Sequence, residues 1–313
     1  MRVVAALGGN ALLRRGQAMS AANQRANVAC AATHLAGLVT AGHQLVVTHG
    51  NGPQIGLLAL QAEAGPGDGA YPLDVLGAES EGMIGYMVEQ ELRNRLPSGA
   101  GVATLLTHVR VDAADPAFNT PSKPIGPVYA EAEAMRLAAE RSWQVAPDGA
   151  DWRRVVASPA PLEILQQPVV SLLVEAGVTV VCAGGGGIPC TRQPDGTLAG
   201  IEAVVDKDRA SALLAIGLQA DMLLLLTDVD AAYVGFGTAT ARAISRADPR
   251  SLQAQQAEFH AGSMGPKIEG AVQFADATGR IAGIGRLEDA EAILLGTAGT
   301  LVDPKAKAMQ FRA

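Results

Sequence analysis

The chain has 313 residues, 49% of them apolar and only 18% charged, which is ample for a large buried core and excludes a disordered segment, a collagen-like repeat and a disulfide mini-protein. Its 24 basic side chains against 31 acidic ones leave a formal charge of −7, and no basic run exceeds two residues. Nucleic-acid and membrane-surface binding therefore have no electrostatic footprint, and an anionic substrate has to be held locally, by a few placed cations and backbone N–H groups.

A first strand is expected at Val3–Leu7, running into Gly8-Gly9-Asn10; the apolar stretch after Arg2 is too short for the core of a signal peptide. A helical period follows over Asn23–Ala41, then a strand at Gln44–Thr48 that meets His49-Gly50-Asn51-Gly52-Pro53, and a helix at Glu81–Leu96. Between about 112 and 161 the chain carries seven prolines, both tryptophans and little strand pattern. A structureless loop of that length is improbable, so a small subdomain or lid is expected there, with Glu131–Arg141 as its helix. A strand at Val178–Cys182 leads to the four-glycine turn Gly184–Gly187, and the surrounding apolar tract, Pro168–Gly187, is interrupted by Glu175 and those glycines, so no membrane span is expected. A helix at Asp208–Leu218, a strand at Met222–Leu226, a helix at Gly265–Ala277 and a strand at Ile281–Ile284 complete the pattern. Strand alternating with helix implies an α/β protein whose mainly parallel sheet is covered on both faces. Cys30, Cys182 and Cys190 have no CxxC pairing or metal-ligand spacing and are expected to be small core residues.

In a parallel sheet the three glycine turns share one carboxyl edge, where open α/β folds bind their ligands. Missing side chains let the backbone approach an anion, and amides at the next helix N-terminus can donate to it; a tight strand-to-helix turn is the plainer role for any one of them. None matches GxxxxGK[ST], or GxGxxG after a strand, which argues against a P-loop ATPase and a standard NAD enzyme. Positive charge is written as Arg nineteen times and as Lys only five, at Lys123, Lys207, Lys267, Lys305 and Lys307. The last two lie near the C-terminal end, where a surface role is expected. The other three stand in Pro121-Ser122-Lys123-Pro124, Asp206-Lys207-Asp208 and Gly262-Ser263-Met264-Gly265-Pro266-Lys267. An ammonium is a compact point charge that can follow a moving phosphoryl group, so retention of Lys suggests phosphate chemistry; for each lysine alone a surface salt bridge is the alternative. A carboxylate beside Lys207 can hold it in place and keep it protonated, and the same acidic residues suit the first turn of a helix. Thr227-Asp228 closes a strongly apolar strand and could meet a nucleotide or cap the next turn.

Taken together these residues resemble the carbamate kinases of the amino acid kinase family, over essentially the whole chain. The carriers are Ala6–Leu12, His49-Gly50-Asn51-Gly52-Pro53-Gln54, Gly82–Tyr86, Asp115–Phe118 with Lys123-Pro124-Ile125-Gly126, Arg153–Val156 with Ser158-Pro159, Gly184–Pro189, Gly200–Asp208 and Ala261–Lys267. Lys-Pro-Ile-Gly, the four-glycine turn and Gly-Ser-Met-Gly-Pro-Lys are the most specific of them.

The resemblance implies a three-layer αβα sandwich around a mainly parallel open sheet, plus a small protruding subdomain. It implies a carbamate- or carbamoyl-phosphate-binding lobe at 1–200, including the excursion at about 112–161, and a nucleotide-binding lobe at 201–313. The implied reaction is reversible transfer of the ATP γ-phosphoryl to carbamate, giving ADP and carbamoyl phosphate, with Mg²⁺ accompanying the nucleotide and no protein cluster identified as its ligands. Homodimers are usual in the family, and the chain is expected in the cytoplasm. The resemblance makes Lys123, Lys207, Asp208 and Lys267 catalytic. Gly8, Gly9, Asn10, Gly50, Asn51, Gly52, Gly184 and Gly185 become substrate- and phosphate-binding. Thr227, Asp228, Tyr233, Met264, Gly265 and Lys267 face the nucleotide, although Val234 stands where the family commonly has an Asn after the Tyr. Carbamate already carries a nucleophilic oxygen, so no general base is required and His49 is expected to be structural. A sister kinase acting on acetylglutamate, glutamate or UMP would share the glycine turns, but Lys123 inside its Pro-rich excursion argues against it. A non-catalytic regulator that binds carbamoyl phosphate or nucleotide would be expected to have lost a charged position, and none is missing.

Overall fold

The computed structural model describes residues 1–13, 16–65, 71–259 and 264–312, with the side chain of Asn10 outside that description. In chain order the elements of the first half are β1 Arg2–Leu7, α1 Ala21–Thr40, β2 Gln44–His49, α2 Gly52–Ala64, α3 Leu73–Arg93, β3 Val102–Thr104, β4 His108–Arg110, β5 Lys123–Tyr129, α4 Glu131–Arg141, β6 Gln144–Asp148 and β7 Asp151–Val156. They continue as β8 Glu163–Ile164, α5 Gln167–Glu175, β9 Thr179–Val181, β10 Ile188–Arg192, β11 Leu198–Gly200, α6 Lys207–Gly217, β12 Met222–Thr227, β13 Tyr233–Val234, β14 Arg242–Ala247, α7 Pro249–Gln253, α8 Met264–Thr278, β15 Ile281–Arg286, α9 Ala290–Leu294, β16 Thr300–Val302 and β17 Gln310–Phe311.

Among the described residues the central sheet has ten strands, and β3, β9, β2, β1, β12 and β15 lie side by side and parallel within it. The strand β16 joins antiparallel to β15, and β14, β13 and β17 complete that edge. Alternation of side chains sorts the apolar residues into two layers. Val4, Ala6, Val46, Leu223 and Leu225 pack with α5, α6 and α8, whereas Val3, Ala5, Leu7, Val47, Leu224 and Leu226 pack with α1, α3 and α9. These strands are buried on both faces, which is why they read as nearly continuous apolar runs. The result is the expected αβα sandwich. Cys182 and Cys190 are buried, and Cys30 is half-buried on α1.

The Pro-rich excursion departs from expectation in one respect, because it contains a three-stranded antiparallel sheet, ordered β5-β7-β6, in addition to α4. Pro124, Pro127 and Pro147 all fall on its two outer strands, where proline is tolerated, and the central strand, Asp151–Val156, has none. Another small sheet, β11-β10-β4-β8, takes one strand from before this excursion and three from after it. Its strands are two to five residues long, too short to give a period. The helix α3 begins eight residues before the expected Glu81, at Leu73 behind Pro72, which supplies the fixed turn before it.

Candidate active site

The carboxyl ends of β1, β2 and β12 meet. Gly8 N–H donates to Leu226 O at 2.9 Å and Gly50 N–H to Leu7 O at 3.2 Å, so the turns leave the sheet in register. A Cβ on Gly8 would stand 2.8 Å from Leu226 O, too close for any other residue. A Cβ on Gly50 would lie 3.6 Å from Lys207 Cδ and 3.9 Å from Gly9 N, which sets the stem of that lysine against both turns. Asn10 belongs to the short turn Gly9–Ala11, and Gly52 opens α2 behind Asn51.

The helix α6 delivers the central charges. Its N-cap is Asp206, whose Oδ1 accepts from Asp208 N at 2.8 Å and Arg209 N at 3.3 Å. Ser211 Oγ donates to Lys207 O at 2.5 Å and is 2.6 Å from Thr48 Oγ1, tying the first turn of α6 to the end of β2. Asp208, 3% exposed, stands between two cations: Lys267 Nζ donates to its Oδ2 at 3.1 Å, and Lys207 Nζ lies 3.2 Å from its Oδ1. Lys267 reaches this point because α8 packs closely on α6, where a Cβ on Gly270 would come within 2.9 Å of Asp208 O. The cluster is completed by Lys123, at the start of β5, whose ammonium pairs with Asp206 Oδ2.

Electrostatics separates these lysines. Burial lowers Lys207 to a pKa of about 8 against the support of Asp208, with Lys267 adding repulsion. Burial presses on Lys267 too, but the charge and hydrogen bond of Asp208 and the charges of Asp206 and Asp228 outweigh it and raise its pKa. Lys207 Nζ has no hydrogen-bond partner among the described residues. Its charge is met by Asp208 Oδ1 at 3.2 Å, and an ammonium's three N–H donors leave the cluster able to receive a phosphate as well. Among the described residues no group of three or more His, Cys, Asp or Glu gathers at metal-ligand distances.

Beneath the turns the four glycines have a packing role. Gly185, Gly186 and Gly187 have φ of +68°, +91° and +85°, and a Cβ on Gly185 would overlap the Asn51 amide at 2.1 Å. Asn51 Nδ2 donates to Ser80 Oγ at 2.8 Å, so the turn, α2 and α3 lock together. Gly184 N–H donates to Glu81 Oε1 at 2.9 Å and Thr107 N–H to its Oε2 at 3.1 Å; burial nevertheless pushes this carboxyl up to about 8. His49 is fully buried and held by burial at a pKa of about 4. Its Nδ1 is 3.1 Å from Gly50 O, which can only accept, so the neutral ring carries its proton there.

On the remaining side, Thr227 is half-buried and Asp228 exposed at the end of β12, while Met264 and Gly265 open α8. Tyr233 donates to Asp230 Oδ1 at 2.9 Å and stacks edge-on with the exposed Phe236, ring centroids 5.8 Å apart. Ala261, Gly262 and Ser263 of the motif before Lys267 lie outside the described residues. The structure thus brings Lys123, Lys207, Asp208 and Lys267 together near Gly9 and Gly50. Sequence reasoning did not single out three partners: Asp206, Glu81 and Gly270. Asp206 was visible in the Asp-Lys-Asp triplet, but the bonds of Glu81 join residues 26 to 103 apart and the packing of Gly270 joins separate helices, which no local pattern reveals.

Comparison with known proteins adds an independent line. A sequence profile described as the amino acid kinase family matches residues 1–283. The carbamate kinase of Rhizobium meliloti strain 1021 is 53% identical over 304 residues, covering 96% of this chain and 93% of its own length. That of Haemophilus influenzae is 51% identical over the full length of both chains. Among solved structures, the Giardia lamblia carbamate kinase bound to AMP-PNP superposes with a TM-score of 0.86 at 40% identity, covering 96% of this chain and 98% of that one.

Proposed function

The chain belongs to the amino acid kinase family, and within it we propose that it is the phosphotransferase that exchanges a phosphoryl group between ATP and carbamate, ATP + carbamate giving ADP + carbamoyl phosphate and the reverse. The observation that carries this reading is the convergence of Lys123, Lys207 and Lys267 on two buried carboxylates beside the glycine turns. Phosphoryl transfer requires alignment and neutralisation of charge more than covalent help, and such a cluster supplies both.

In this proposal a carbamate oxygen attacks the γ-phosphorus in line as the bond to the β,γ-bridging oxygen breaks and ADP leaves with that electron pair. Lys207 and Lys267 neutralise the moving phosphoryl and the ATP phosphates, with Asp208 orienting both. Lys123 approaches from the subdomain on the carbamate side. Gly9, Asn10, Asn51 and Gly52 offer backbone donors to carbamoyl phosphate and the transition state; Gly8 and Gly50, whose N–H groups are taken by Leu226 O and Leu7 O, contribute close backbone approach instead, with Gly184 and Gly185 behind them. Thr227, Asp228, Tyr233, Met264 and Gly265 line the nucleotide side, in a lobe at 201–313 set against an acceptor lobe at 1–200. Mg²⁺ accompanying the nucleotide would lower the charge on its phosphates when bound. No helix among the described residues is long and apolar enough to cross a membrane, and the proposal sets the chain in the cytoplasm as a homodimer.

The test is ATP formation from ADP, Mg²⁺ and carbamoyl phosphate, with acetylglutamyl phosphate and ADP, and UDP and ADP, as controls. Turnover with carbamoyl phosphate alone, abolished in Lys207→Ala, is the expected outcome. Binding of carbamoyl phosphate without turnover would make the chain a regulator instead.

A further inference from the structure

Asp206 uses its two oxygens for different partners. Oδ1 caps α6, accepting from Asp208 N and Arg209 N, while Oδ2 pairs with Lys123 of the subdomain strand β5. The pair is partly removed from water, with the Asp206 side chain 7% and the Lys123 side chain 26% exposed. Burial would raise the Asp206 carboxyl, but the charge and hydrogen bond of Lys123 overcome it and hold the group well below the usual carboxylate range. The preceding residue is fixed as well, because a Cβ on Gly186 would stand 2.2 Å from Val205 O, so the four-glycine turn presses on the chain as it enters the cap. Lys123 has no such support of its own. It opens an edge strand of the small sheet, and a four-carbon stem retains many rotamers unless its ammonium is held. An ammonium has three N–H donors, so one bond to Asp206 leaves others for an incoming anion.

We propose that Asp206 is a positioning residue, which joins Lys123 and its subdomain to the cap of the helix that carries Lys207 and Asp208, and so presents Lys123 to the phosphate of carbamoyl phosphate in register with the other two lysines. The proposal rests on the phosphotransferase reading and adds to it a residue that touches neither substrate. It accounts for why an acid is tolerated beside an anion site: its charge is taken up by the lysine it places.

The experiment is a double-mutant cycle with Asp206→Asn and Lys123→Ala in the full chain. Asn retains a capping oxygen for the Asp208 and Arg209 amides but lacks the charge that holds an ammonium. At saturating ADP and Mg²⁺, Asp206→Asn is expected to lower kcat/KM for carbamoyl phosphate by about tenfold or more, and by less than about twofold once Lys123 is already Ala. The Kd for ADP, measured by calorimetry, is expected to stay within about twofold throughout, since the cap is kept. Multiplying effects in the double variant, an unchanged kcat/KM in Asp206→Asn, or an equal loss of ADP binding would each overturn the proposal. Hydrogen exchange in Lys123–Tyr129 supplies a readout independent of turnover. Faster exchange to the same extent in both single variants is expected, and unchanged exchange would sink the idea. If the wild-type chain fails to make ATP from carbamoyl phosphate, the phosphotransferase reading falls while the exchange result still decides whether Asp206 holds the strand.

Discussion

Lys207 carries the most exposed consequence of burial. Its pKa of about 8 means the buried ammonium persists through neutral pH and is lost just above it. The value of kcat/KM for carbamoyl phosphate is therefore expected to fall as pH rises through about 8, because this parameter reports the free enzyme. In Lys207→Arg that alkaline limb should vanish from the pH profile at a reduced rate, since a guanidinium stays charged. Stability runs the other way. The unfolded lysine titrates near 10.5, so burying its charge penalises the fold below about pH 8, and the penalty is relieved as pH rises between the two values. His49 cannot share this role: with a pKa of about 4 it is neutral at the pH where Lys207 titrates. The cations were legible in the sequence because Lys is rare against Arg, whereas their division of labour was not, since it depends on which ammonium Asp208 bonds and which it only approaches.

The subdomain is positioned by one close approach between elements. A Cβ on Gly56 of α2 would stand 2.0 Å from Gly126 Cα of β5, so glycine at 56 is what lets the strand lie on the helix, while Gly126 is held at a φ of +75°. The end of the same helix is fastened by Glu63, 2.6 Å from Arg141 and 3.6 Å from Arg154, with both guanidiniums 4.9 Å from the Trp143 ring. Gly56→Ala should lift β5 and carry Lys123 away. We expect kcat/KM for carbamoyl phosphate to drop on the order of 10- to 100-fold, as displacements near 1 Å do, with the Kd for ADP unchanged by calorimetry. The helix of the excursion was readable from its period, but its strands were not: prolines at edge positions look like breakers in a sequence and are harmless in a sheet.

Across the whole molecule, β1 pairs with β2 on one side and with β12 on the other, so the two halves of the chain share one sheet. Both core layers draw residues from both halves, including Val4 with Leu223 and Val3 with Leu224. Thermal unfolding is therefore expected as one calorimetric transition for the main body, raised by ADP with Mg²⁺ through mass action; two well-separated transitions would show the halves to be independent. The sequence by itself determined the α/β class, the strands that form the inner sheet, the three glycine turns at its carboxyl edge and the lysines that deserved notice. Periodicity, apolar runs and steric need are local properties, so a linear chain displays them. Only the tertiary structure decided that Lys123 meets Asp206, 83 residues away, that Lys267 meets Asp208, 59 residues away, and that Gly184 and Gly185 make room for His49 and Asn51. Those contacts follow from how helices and the subdomain pack on the sheet, which depends on the shapes of distant side chains together.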